Sequence, residues 1–387
     1  LQLVKNNDKN VGCWLLDVGS WMLDVGKRKS IYNAESTFLS NFWLATSDKL
    51  ITNTQINKES KIIMTQTLPL RSLGKSNLNI TPIGLGCWQF SKQQNMAGKF
   101  WPTIENNTIT NIIKTSLEGG INWFDTAEIY GNGASEKALS ASLTEIGKKP
   151  GEIIVPTKWW PMFRFASNIP KTINQRIDAL APYPIDLYQV HQPWGFSNEK
   201  AEMEAMAKLV KERKIRYVGV SNFSAAQMRS AWEVLQKQGI HLVSNQVRYN
   251  LLDRKIESNG ILQTAKELGI TIIAYSPLAQ GLVTGKFHDN PDLLKNIGMR
   301  KYSSQFKPAG LEKSRPLVKT IQELAVKYGV TSSQLALNWL INFHGETVVA
   351  IPGATKESHA KENTGAMTFT MTAEDLSLLD NKSALFK

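Results

Sequence analysis

From residue 64 onward the chain repeats one rhythm: a short apolar run rich in β-branched residues, an amphipathic stretch of helical period, then another apolar run. Strands of a parallel sheet are buried on both faces, and each needs a crossover, usually a helix, to return the chain to the same edge. The apolar runs are Ile83–Cys87, Ile121–Asp125, Ile153–Thr157, Ile185–Val190, Tyr217–Val220, Leu242–Gln246, Thr271–Tyr275 and Thr347–Ile351. Between them the periodicity predicts helices over Glu105–Glu118, Glu136–Ile146, Lys200–Glu212, Ala225–Gln238, Ile261–Leu268 and Leu317–Tyr328. Eight such units predict an α/β fold, a (β/α)8 TIM barrel with eight parallel strands. The rival is a doubly wound open sheet, whose dinucleotide-binding form carries G-x-G-x-x-G after a strand. Gly84-Leu85-Gly86 lacks the third glycine.

Residues 1–63 do not share the rhythm. Cys13-Trp14-Leu15-Leu16-Asp17-Val18-Gly19 runs directly into Ser20-Trp21-Met22-Leu23-Asp24-Val25-Gly26, a close heptad duplication. A coiled coil sustains its heptads, and this repeat stops after two. Asp8, Asp17, Asp24 and Glu35 argue against a transit peptide, and the apolar part is too short for a secretory signal. The expectation is a barrel over 64–387 beginning at Met64. The extension over 1–63 is expected to lie outside the fold, as disordered or translated non-coding sequence.

The formal net charge of +12 raises the question of nucleic acid. Yet the longest basic run is Lys27-Arg28-Lys29, and aromatics do not interleave with basic residues, so no nucleic acid is expected as a partner. A basic mouth that attracts a phosphate-bearing cofactor explains the same surplus. Cys13 and Cys87 offer neither a disulfide framework nor metal-ligand spacing, which makes a reducing, cytoplasmic setting the expectation. No apolar run is long enough to cross a bilayer, so no membrane partner is expected. The default assembly is a monomer.

In a barrel of this kind the chemistry gathers at the C-terminal ends of the strands. Those ends carry Asp125, Lys158, His191, Ser221-Asn222, Gln246 and Tyr275-Ser276. Each must find a partner once it is removed from water. A strand-end lysine also serves Schiff-base aldolases and isomerases, but there it is activated by desolvation or cationic neighbours. Here the predicted neighbour is Asp125.

The segments Ile121-Asn122-Trp123-Phe124-Asp125-Thr126-Ala127-Glu128-Ile129-Tyr130-Gly131, Thr157-Lys158, Asp186-Leu187-Tyr188-Gln189-Val190-His191, Gly219-Val220-Ser221-Asn222-Phe223, Asn245-Gln246 and Ala274-Tyr275-Ser276-Pro277-Leu278 follow in a telling order. With Ile351-Pro352-Gly353-Ala354-Thr355 and Glu362-Asn363, the chain resembles the aldo-keto reductase superfamily over about Leu68–Lys382. The resemblance implies an oxidoreductase that reduces a small-molecule aldehyde or ketone with NADPH. It assigns catalysis to Asp125, Tyr130, Lys158 and His191.

The residue types suit that chemistry. Hydride transfer to a carbonyl leaves negative charge on oxygen, which must be protonated. A phenol, with its pKa near ~10, is a reluctant donor at neutral pH, and a neighbouring ammonium makes it a better acid. Lys158 is therefore expected to lower the pKa of Tyr130, Asp125 to hold Lys158, and His191 to orient the carbonyl oxygen.

For the cofactor, Ser221, Asn222 and Gln246 suit the nicotinamide carboxamide and Tyr275 its ring face. Ser276, Leu278, Gly281 and Lys286 are expected at the pyrophosphate. Gly353, Thr355, Lys356, His359, Glu362 and Asn363 are expected at the adenine end. Thr355 and His359 stand where many relatives carry Arg and Gln or Arg. Lys356 is expected to supply the cation that a 2′-phosphate needs, which favours NADPH over NADH. The stretch Phe287–Gly310 exceeds ordinary loop length and is expected to be a mobile flap over the cofactor. Trp88, Trp159 and Trp194, with Trp160 and Phe223, are expected to line an aromatic substrate pocket. No metal is expected, because the remaining histidines show no ligand spacing. The competing expectation is a regulatory or redox-sensing subunit of the same fold that binds the cofactor with little turnover.

Overall fold

The computed structural model describes Leu68, residues 70–92 and residues 100–387. The expectations for residues 1–63, including the heptad duplication and the start at Met64, lie outside the described residues. A hairpin of β1 (Arg71–Ser72) and β2 (Asn79–Ile80) comes first. It is followed by β3 (Leu85–Gly86), β4 (Phe124–Asp125), β5 (Pro156–Trp159), β6 (Leu187–Val190), β7 (Tyr217–Ser221), β8 (Leu242–Arg248), β9 (Thr271–Tyr275) and β10 (Val348–Ala350).

Strands β5 to β10 pair consecutively and in parallel, and β3 pairs in parallel with β4. Two parallel seams close the ring. Trp123 bridges Ile154 between β4 and β5, while Ile83 and Gly86 bridge Ala350 and Gly353 between β3 and β10. The result is the eight-stranded TIM barrel that the rhythm predicts, and every predicted strand overlaps an observed one.

The helices are α1 (Asn106–Glu118), α2 (Ala134–Glu145), α3 (Asn168–Leu180), α4 (Glu199–Lys211), α5 (Ala225–Gln236), α6 (Ile261–Leu268), the single turn α7 (Lys286–Asp289), α8 (Pro308–Tyr328), α9 (Ser332–Asn342), α10 (Glu357–Gly365) and α11 (Ala373–Lys382). Outward-facing strand residues such as Phe124, Tyr188, Val190, Val220 and Ile272 pack against this layer.

Inside the barrel a second apolar cluster joins Leu73, Leu78 and Ile80 of the hairpin region to Trp123, Leu187, Val243, Ile273 and Val349. These strand residues lie toward the N-terminal ends, so the hairpin forms a floor. Arg71 donates to Val348 O (2.8 Å) and Gly74 N to Thr271 Oγ1 (2.7 Å), both at strand starts. Gly74 has φ +54°, and a Cβ there would lie 2.3 Å from Val243 O, so only glycine lets the turn press this close.

The expected flap is more firmly anchored than its length suggests. Phe287, Ile297 and Phe306 are buried, and the two phenylalanine rings meet edge-on at 5.5 Å.

Candidate active site

Successive side chains of a strand point to opposite faces, so residues two apart share the barrel interior. Two positions beyond the floor the interior turns polar: Trp123 gives way to Asp125, Leu187 to Gln189 and then His191, Ile273 to Tyr275. Lys158 of β5 enters the same layer. Its Nζ is ion-paired with Asp125 Oδ1 and donates to Thr126 O at 2.8 Å. Asp125 Oδ2 accepts from Gln246 Nε2 (2.9 Å) and Gln189 Nε2 (3.3 Å). Both charges are fully buried, a position tolerated only when the remaining hydrogen-bond capacity is met.

Gly219 makes the room for this arrangement: a Cβ there would lie 2.4 Å from Ser244 Oγ and 2.9 Å from Gln189 Cγ. Gln246, expected at the carboxamide, also reaches into this buried network. One of its amide hydrogens is committed to Asp125, whose second oxygen would otherwise lack that partner in a desolvated site.

Tyr130 and His191 close on this pair. Lys158 Nζ stands 5.0 Å from the centroid of the Tyr130 ring, and the His191 ring meets Tyr130 edge-on at 5.7 Å. The four residues expected to be catalytic are thus brought together. Their electrostatics differ from expectation at one point. Burial, reinforced by the charge of Asp125 and by Cys87, pushes the Tyr130 phenol well above its usual range rather than below it. Asp125 offsets the Lys158 field, so desolvation decides the sign. Burial, with Lys158 nearby, drives His191 well below its usual range and keeps the imidazole neutral at pH 7. Its Nδ1 is buried without a hydrogen-bond partner among the described residues.

A second ionic group braces the loops around Tyr130. Glu128 accepts from Arg164 (2.5 Å) and from the Trp160 backbone N–H (3.3 Å). Glu136 accepts from Thr157 Oγ1 (2.6 Å) and pairs with Arg176 Nε at 3.1 Å, off line for a hydrogen bond. Burial pushes the Glu136 carboxyl up to about 7 despite Arg176.

Aromatic rings crowd around Tyr130 and His191. Trp88 stacks on Phe100 (4.9 Å) and on Tyr130 (5.9 Å), with Trp101 edge-on to Trp88 at 5.9 Å. Trp160 packs edge-on against His191 and Trp194, each at 5.2 Å. Trp88, Trp160 and Trp194 thus gather at Tyr130 and His191, Trp194 by way of Trp160. Trp159 and Phe223 do not: both are fully buried in the core cluster that faces the helices. For Trp159 the reason is strand alternation, since Lys158 points inward and its neighbour must point out.

On the other side of the mouth, Tyr275 donates to Asn222 Oδ1 at 3.1 Å, Ser221 Oγ donates to Gln246 O at 2.8 Å, and burial pushes the Tyr275 phenol up to about 12. Ser276, Ala279, Gln280 and Gly281 then take φ values of +50°, +47°, +56° and +96°. Three of these are not glycine, and such backbone is costly unless something gains from it. Leu278 O accepts from Gly281 N (2.8 Å) within this turn.

Lys286 keeps an exposed side chain, yet partial desolvation, Arg300 and Lys356 all push its pKa down while Glu362 opposes them. Crowded cations of this kind are what a bound anion stabilises. Lys356 is also the N-cap of α10, a terminus whose free N–H groups favour negative charge. Thr355 N donates to His359 Nδ1 at 3.3 Å. Gly353 lies so close to Gln89 that a Cβ would sit 2.2 Å from its amide. Asn363 Nδ2 is a buried donor with no partner among the described residues. Orphaned donor, left-handed turn and cation cluster together fit a phosphate-bearing cofactor.

The profile of the Aldo/keto reductase family matches residues 82–384. The chain belongs to this family. An uncharacterized oxidoreductase of Mycobacterium tuberculosis is 33% identical over 310 residues, 80% of this chain and 91% of that protein. The chloroplastic pyridoxal reductase of Arabidopsis thaliana is 29% identical over 323 residues, 79% of this chain and 84% of that protein. Among solved structures, the glycerol dehydrogenase of Gluconobacter oxydans superposes with a TM-score of 0.71 at 27% identity, covering 82% of this chain and 96% of its own. An aldo/keto reductase of Klebsiella pneumoniae, in complex with NADP and acetate, superposes at 0.61 with 25% identity, covering 80% of this chain and 94% of its own. The protein is an oxidoreductase of the aldo/keto reductase family.

Several residues of this aldo/keto reductase site escape the sequence-based list. Gln189 carries a readable signal, because it is the polar residue between Leu187 and His191 at inward positions of one strand. Arg300 carries none. It lies within the expected flap, donates to Gln280 O (3.3 Å) and covers the Trp101 ring at 5.1 Å. No helix among the described residues is long and apolar enough to cross a membrane.

Proposed function

We propose that the protein reduces aldehydes or ketones to alcohols by hydride transfer from NADPH, with Tyr130 as the proton donor. The observation that carries this reading is the buried Asp125–Lys158 pair set beneath the Tyr130 ring, with neutral His191 beside it. When bound, the reduced nicotinamide supplies the hydride.

The residues of the chain do the rest. Tyr130, its pKa held up by burial, keeps its proton at the hydroxyl through the neutral range. As negative charge develops on the carbonyl oxygen, the proton passes from Tyr130 Oη to that oxygen, and the adjacent Lys158 ammonium steadies the phenolate left behind. His191, uncharged, orients the oxygen without competing as an acid. Lys286, Arg300 and Lys356 hold the phosphates, and Lys356 beside Thr355 supports NADPH over NADH. Asn222 and the face of Tyr275 position the nicotinamide. The Arabidopsis relative is named for the reduction of pyridoxal, which agrees with carbonyl reduction here.

The test is NADPH oxidation by the purified protein with benzaldehyde, alongside Tyr130→Phe. The expected outcome is aldehyde-dependent oxidation that falls by about 10²–10⁴-fold in the variant, with NADPH affinity unchanged. NADPH binding without turnover would favour the regulatory-subunit reading, and failure to bind would remove the cofactor assignment.

A further inference from the structure

We propose that an aromatic strip leading out of the active site is a track for an uncharged apolar tail on the carbonyl substrate. The preferred substrates are then aldehydes or ketones bearing a long alkyl or aryl-alkyl chain. This inference rests on the carbonyl-reductase reading of the same site.

The strip starts at the reacting end. Tyr130 meets His191, His191 meets Trp160 and Trp160 meets Trp194, at centroid distances of 5.7, 5.2 and 5.2 Å. One residue past Gly195 it resumes as Phe196, which packs against Phe165 at 5.3 Å and Phe163 at 6.1 Å. The two loops that carry these rings are tied together: Phe196 N donates to Arg164 O (2.9 Å) and Ala166 N to Ser197 Oγ (2.9 Å). Gly195 lets them lie close, since a Cβ there would stand 3.0 Å from Glu202 Oε1 and 3.2 Å from Pro161 Cβ.

The outer half of the strip is costly for a structural element. Phe163, Phe165, Phe196 and Trp194 are 78%, 56%, 58% and 46% exposed, and they are all the exposed Phe and Trp side chains among the described residues. Isolated apolar residues on a surface need no explanation, but contiguous aromatics at the rim of a site do. Phe163 is also held at φ +57°, a left-handed conformation unfavourable for a bulky side chain. Strain and exposure fall on the same residue, as they do where a loop is shaped for a ligand.

The order of the rings along these two loops selects the occupant. A substrate whose carbonyl lies at Tyr130 and whose tail leaves over Trp160 and Trp194 is directed toward the loops that carry the phenylalanines. The Arg164 guanidinium is taken by Glu128 (2.5 Å) and Trp160 O (3.1 Å), and the Trp194 indole N–H by Gln192 Oε1 (3.2 Å). The track therefore recognises length and apolarity rather than a charged terminus.

The experiment compares benzaldehyde, 4-butoxybenzaldehyde and 4-hexyloxybenzaldehyde with NADPH and the full-chain enzyme. The expected result is a kcat/KM that rises by about tenfold from the first to the last, mainly through KM. In a double variant Phe165→Ser, Phe196→Ser, the long-to-short ratio is expected to fall by about fivefold. Val326→Ser, which alters an exposed apolar residue on α8, is expected to leave that ratio unchanged. Turnover of benzaldehyde with a flat series, or an unchanged ratio in the double variant, overturns the track alone. No turnover with any of the three removes the reductase reading and the track with it. A flat series in an enzyme whose dimer, by sedimentation equilibrium, is dispersed by the double variant assigns the strip to contacts between copies and overturns the proposal.

Discussion

The floor and the mouth of this barrel are built on the same strands and stand two residues apart along them. At β4 the floor residue is Trp123, just before the strand, and the mouth residue Asp125; on β6 they are Leu187 and Gln189, and on β9 Ile273 and Tyr275. At the floor, Leu73, Leu78 and Ile80 cover the apolar ends, and the hairpin's polar groups find partners at strand starts. Each such side chain stabilises the fold by about 1.5–3 kcal/mol when fully buried. At the mouth a buried ion pair roughly breaks even against its desolvation. Among the described residues His191 Nδ1 and Asn363 Nδ2 are left unpartnered there, and cations crowd Lys286. The difference teaches that a period-two strand can place stability at one end and chemistry at the other, so changes at the two ends should separate cleanly in experiment.

Asp125→Asn should break the mouth most severely. It leaves Lys158 buried without its counter-charge, at a cost of about 3–5 kcal/mol, and should lower kcat by at least about 10²-fold. Paired denaturation and turnover measurements check it; an unchanged kcat per folded molecule would deny that the pair serves the chemistry of the mouth. Leu78→Ala tests the floor. A cost of about 2–5 kcal/mol is expected, with kcat per folded molecule unchanged, and a drop in kcat at full folding would show that floor and mouth are coupled.

Glu136 gives the smallest and most specific test. Its folded pKa of about 7 lies above its ordinary value of 4.5, so the unfolded chain ionises first as pH rises. Stability from this group is fully present below about pH 4.5 and is lost as pH passes through 7. The loss is bounded at about 3 kcal/mol. Thermal unfolding of the wild type should therefore decline between pH 4.5 and 7 relative to Glu136→Gln, whereas parallel profiles would show that Arg176 and Thr157 already hold the carboxylate ionised.

The strands were legible because burial on both faces leaves uninterrupted β-branched runs, as in Thr271–Tyr275, which the structure reproduces residue for residue. Helices were less so. α8 carries Pro316 in its interior, and proline normally marks a break, so the periodic signal begins only at Leu317. α9 is buried around most of its circumference and lacks an amphipathic period, although Thr331 and Gln334 form a capping box that a reader of caps could have found. In the site, residue types at strand ends identified Asp125, Lys158 and His191 as candidates, but alternation within β5 was needed to separate Trp160 from Trp159. Arg300 and the ring of Trp101 meet only through tertiary folding, and no local pattern announces them.

The floor also sets a timetable for biosynthesis. Arg71 reaches its acceptor, Val348 O, across 277 residues. At a ribosomal pace of about 5–20 residues per second, on the order of 15–55 s pass before the hairpin's partner exists. Leu73, Leu78 and Ile80 are translated before the barrel they seal, yet they are among the last to be sheltered. Throughout that interval Val349, part of their apolar cover, has yet to be made, and the barrel's foundation is finished only with its last strand.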